Sequence, residues 1–146
     1  MKKGPSPAGS GARAGAVLGA VCRPVVVGAF WLLGDPPAAM WLVIVAISTL
    51  IGLGLGAFAG WVAGSIRHPL AGPVAGAALG ATLAFGSSVV TALLLCVATA
   101  IPAQHERDVN LALYWPLMAF AGALPGVGGG LAGQRVRQHQ GPGPRE

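Results

Sequence analysis

Arg23 has the clearest claim to chemistry in this chain, because it stands in the run AVLGAVCRPVVVGAF, where every other residue is apolar or small. A charge near the middle of a bilayer costs at least ~2.5–3.5 kcal/mol on insertion scales, so it needs a partner or a route to water. Three arrangements meet that need: snorkelling to the headgroups, bonding carbonyls left free where Pro24 cannot donate, or lining an anion-accessible cavity. Pro125 is the second candidate, with Pro116 before it and Gly126-Val127-Gly128-Gly129-Gly130 after it. An interior proline costs a helix ~3 kcal/mol and a glycine ~1, and in transporters such breaks aim helix ends and carbonyls at an ion near the midplane. The plainer reading is that Gly122, Gly126 and Gly130 form a close-packing face and Pro125 only kinks the helix.

The other polar groups carry less. Hydroxyls at Ser48, Thr49, Ser87, Ser88, Thr91 and Thr99 could line a polar path, but in apolar helices they more often bond a carbonyl or the neighbouring helix. His105, Glu106 and Asp108 have metal-capable side chains without a full ligand set, so a solvated loop is expected, with no metal and no cofactor. His68 beside Arg67 suits phosphates, and His139 falls near the C-terminus. Cys22 and Cys96 lie in separate apolar stretches and read as small hydrophobes, not a disulfide. There is no GxxxxGK[ST], no HExxH, no paired-cysteine motif and no nucleophile with a base in an apolar run. Enzymatic chemistry is therefore not expected.

The elements that must position these residues are membrane helices. Of 146 residues 54% are hydrophobic and 9% charged, with mean hydropathy +0.70, which is too apolar for a water-soluble domain. The expected fold is all-α, an integral membrane four-helix bundle with helices over 14–34, 38–64, 70–101 and 111–133. Residues 1–11 and 134–146 read as basic disordered ends. A secretory signal fits the first helix poorly, because Arg23-Pro24 interrupts its apolar run. Breaks fall at Gly34-Asp35-Pro36-Pro37, at Arg67-His68-Pro69 and at residues 102–110. Trp31, Trp41, Trp61, Tyr114 and Trp115 sit near the ends of spans, as interfacial aromatic rings do.

A net charge of +5 would suggest nucleic acid in a soluble protein. Here Lys2, Lys3, Arg13, Arg67, Arg135, Arg137 and Arg145 cluster at span ends. Four spans put them all on one side, so both termini are expected in the cytoplasm and nucleic acid is not expected as a partner. Seven arginines against two lysines, with 24 glycines and 12 prolines, suggest a high-GC bacterium and its cytoplasmic membrane.

Glycine spacing supplies the packing. Gly52, Gly56, Gly60 and Gly64 recur every fourth residue, and Gly72, Gly76 and Gly80 continue the spacing in mirror register about His68. Such faces let helix backbones approach closely in lipid, so a glycine-zipper hairpin between helices 2 and 3 is expected, pairing Gly64 with Gly72, Gly60 with Gly76 and Gly56 with Gly80. Were helices 2 and 3 found apart, Gly15-Gly19 and Gly122-Gly126-Gly130 would become the better place to look for partners. The segments AGAVLGAV (14–21) and AGAALGAT (75–82) agree at six of eight positions, as duplication of a hairpin would produce.

Four short helices resemble the small multidrug transporters in outline. That family relies on a glutamate embedded in its first helix, and this first helix holds none. The expected function is a structural or partner-binding membrane subunit, in contact with the lipid bilayer and with another membrane protein or further copies of itself. The alternative is a small channel, holin-like pore or transporter using the broken fourth helix and Arg23.

Overall fold

The computed structural model describes residues 6–32, 38–99 and 111–140 and contains four helices: α1 (Pro7–Leu32), α2 (Ala38–Ser65), α3 (Ala71–Thr99) and α4 (Leu111–Gln140). All four are long and apolar enough to cross a membrane. The Asp35 and His105-Glu106-Asp108 segments lie outside the described residues, as do Lys2, Lys3, Arg145 and the side chains of Trp31, Trp41, Thr91, Cys96 and Thr99.

Local chemistry sets the helix ends. Ser6 caps α1 by accepting the Gly9 amide on its Oγ at 3.1 Å, and Pro7 takes the first helical position, where its missing N–H costs nothing. Helix α1 therefore begins at Pro7, and Gly11, expected in a disordered end, is helical and buried. His68 Nδ1 accepts the amides of Leu70 and Ala71 at 3.4 and 3.3 Å and so opens α3. Helix α4 reaches Gln140, past the expected end at 133, because its last turns are tied to the α2–α3 connection. Gln134 donates to the Pro69 carbonyl, and the Arg137 guanidinium donates to the carbonyls of Ile66, Gly64 (2.7 Å) and Ser65 (3.0 Å). A cation on the last carbonyls of α2 also opposes that helix's dipole.

The bundle is built from two glycine-faced hairpins. Helix α1 runs antiparallel to α2, with Gly11 against Gly60, Gly15 against Gly56 and Gly19 against Gly52. Helix α3 pairs likewise with α4, with Gly80 against Gly122, Gly76 against Gly126 and Gly72 near Gly130. In the three α1–α2 pairs, a Cβ on either glycine would come closer than 3.0 Å to a backbone oxygen of its partner.

This corrects the register expected about His68. The glycines of α2 face α1, and Gly60 and Gly76 do not meet; what reaches α3 from α2 is Ala63, whose carbonyl and Cβ lie against Gly72 and Gly76. Six close glycine approaches form within the two hairpins, and a second face of α4, Gly129 and Gly133, adds contacts to Gly11, Gly60 and Gly64 in the groove that α1 and α2 make together. The two similar segments, 14–21 and 75–82, occupy equivalent places, one in the outgoing helix of each hairpin.

Helix α4 joins the hairpins because it carries two faces. Gly122, Gly126 and Gly130 serve α3, while Gly129 and Gly133 enter the groove between α1 and α2, against Gly60 and Gly11 and against Gly64 and Pro7. The run at 126–130 is where these faces overlap, and α4 passes through it unbroken. Helices α1 and α3 share no backbone contact and take opposite corners. The interior is made of small residues, including Ala59, Ala63, Ala84 and Ala121, while Leu50, Phe58, Val74 and Phe120 point outward. Water would drive the opposite distribution.

Candidate functional site

The site grows from the same periodicity. Gly11, Gly15, Gly19, Arg23 and Val27 are steps of one buried face of α1, so the fold carries Arg23 into the bundle directly after the last glycine of that face. Its backbone stands near Gly52, where a Cβ would lie 3.1 Å from the Arg23 Cβ. The guanidinium extends across the bundle and its Nη1 donates to Ser87 Oγ at 2.7 Å, a bond between the two helices whose backbones do not touch. Ser87 in turn donates to the Ala84 carbonyl at 3.0 Å, so its hydroxyl is used in both directions.

Arg23 is only 6% exposed, and its Nε has no hydrogen-bond partner. It sits some 16 residues along the bundle axis from the Gly64 level, or about 24 Å at ~1.5 Å per residue. Its Nη1 bonds a hydroxyl on α3, not a carbonyl beside Pro24. No Asp or Glu occurs among the described residues to balance its charge.

A cavity of about 20 Å³ adjoins Arg23, walled by Gly19, Gly52, Gly80, Met118 and Pro125 among others. It forms where bare glycine faces from all four helices converge and the only long side chains are Arg23, Met118 and Leu55. Space of that order holds about one water. Pro125 is therefore buried in the wall of the Arg23 cavity, inside a continuous α4.

The other polar groups are distributed as helix-bonding hydroxyls are. Thr49 donates to Val45 and Ser88 to Ala84, both at 2.8 Å. Ser48 and Ser88 are buried, and Cys22 is half-buried and free. No cluster of three metal-capable side chains occurs among the described residues. Arg13, Arg67, His68, Arg135 and His139 are exposed. Arg23 stands out in the sequence as a charge inside an apolar run, but Ser87 as its partner does not, since that pairing depends on which helices take opposite corners. Comparison with protein-family models, with curated proteins and with solved structures finds no match to this chain.

Proposed function

We propose that this chain is an integral membrane four-helix bundle, zipped by its glycine faces, that acts as a structural or partner-binding subunit of a bacterial cytoplasmic membrane. Both termini then lie in the cytoplasm, where Arg13, Arg67, Arg135 and Arg137 gather at one end. The observation that carries this reading is the interior: backbone meets backbone along both hairpins, and the cavity at Arg23 is about 20 Å³. A conduit for a solute needs a continuous polar path, and bonding of Arg23 to Ser87 engages the polar group best placed to line one. Helix α4 is unbroken at Pro125, which weighs against the transporter alternative that drew on a break there. The large outward side chains supply a surface for lipid or for another membrane protein.

The test is purification of the full chain from its native membrane in mild detergent, with identification of co-purifying chains. A stoichiometric membrane partner is the expected result. Recovery as a lone species that conducts solute in liposomes, with flux lost in Arg23→Leu, would replace this reading with a channel or transporter.

A further inference from the structure

We propose that the cavity at Arg23 is a binding site for one monatomic anion of halide size, which serves as the buried counter-ion of the guanidinium. Three observations meet at this point. Arg23 is 6% exposed and its Nε, an obligatory donor, has no acceptor. The described residues contain no carboxylate to neutralise it, and Ser87, its hydrogen-bond acceptor, is uncharged. The cavity beside it measures about 20 Å³, space of the order that holds one water or one small ion. A water would satisfy the Nε–H but would leave the positive charge unbalanced in a medium where charge is expensive.

The wall fits an anion of this kind. Gly19, Gly52, Gly80 and Gly122 leave Cα–H groups, not side chains, at the cavity surface, and Met118 is the flexible residue that can adjust to ion radius. The inference is independent of whether the bundle serves as a subunit or a conduit.

The test uses the full chain in mild detergent. Its thermal unfolding is compared in sodium bromide and in sodium gluconate at equal ionic strength, so that screening is matched while the anion changes from a halide to a bulky carboxylate. The expected result is a saturating rise in Tm of about 3 °C in bromide. Arg23→Gln should lose that bromide-dependent rise whatever its own stability, while Arg23→Lys, which keeps the charge without the fixed fork, should need at least about 10-fold more bromide. If Arg23→Gln does not fold, crystals of the unaltered chain grown in bromide decide the matter, through an anomalous peak in contact with Arg23. Equal Tm in bromide and gluconate, or a cavity holding only water in the bromide crystals, would overturn the proposal.

Discussion

Replacing Gly56 by alanine should destabilise the bundle, whereas the same change two residues earlier should stabilise it. At Gly54 an added Cβ meets nothing within 4 Å, so Gly54→Ala keeps only the gain in helix propensity, about 1 kcal/mol. At Gly56 the added Cβ runs into the backbone of α1: the carbonyl oxygen of Gly15, its carbon at 3.0 Å and the Gly19 Cα at 3.1 Å. No rotamer relieves a collision with backbone, so the cost belongs at the upper end of overpacking, about 3 kcal/mol, and the net loss is about 2. The two variants should thus differ by about 3 kcal/mol, or roughly 6–12 °C in thermal unfolding followed by far-ultraviolet circular dichroism in mild detergent. A double-mutant cycle then reads the partner. Gly56→Ala should be strongly non-additive with Gly15→Ala, whose backbone its Cβ would strike, and less so with Gly80→Ala, which shares only the cavity wall at Arg23. Stronger coupling of Gly56 to Gly80 than to Gly15, or a Gly56→Ala variant as stable as Gly54→Ala, would refute the hairpin assignment and restore the register about His68.

Adjacent glycines in α4 offer a second contrast: Gly128→Ala meets a terminal methyl of Leu18, which can move, and should change stability by less than about 1 kcal/mol, while Gly129→Ala meets the Gly60 Cα and should cost about 2 or more in the same unfolding assay. Arg137→Gln should release the end of α4 from the carbonyls of Gly64, Ser65 and Ile66, costing about 1 kcal/mol and speeding amide hydrogen exchange over residues 134–140 without affecting exchange near Arg23. Uniform loss of protection through α4 would mean that the contact is integral to the whole bundle and not a local fastening.

Much of this architecture was legible because membrane packing uses few residue types. Unbroken apolar runs fix four helices, and a lone arginine in such a run marks the interior site before any geometry is known. Helix α1 was begun too late because Ser6-Pro7, a helix start by its capping chemistry, lies in a segment whose Gly, Pro and Ser content reads as disorder. Gly11, the third member of the α1 face, lies in that same segment.

The choice of partner faces failed for a deeper reason, which is that mirror register does not discriminate between hairpins. The ladders of α2 and α3 mirror about His68, but those of α1 and α2 mirror about residues 35 and 36, and those of α3 and α4 about residue 101. Any two four-residue ladders can align in this way, so each hairpin taken alone looks designed. What distinguishes the observed arrangement is α4, whose second face, Gly129 and Gly133, one residue out of step with Gly126 and Gly130, seats on Gly11, Gly60 and Gly64 in the groove that α1 and α2 form together. The glycine run that reads as a broken helix is therefore the feature that lets one hairpin pack on the other, and the convergence of these faces beside Arg23 leaves the small cavity there.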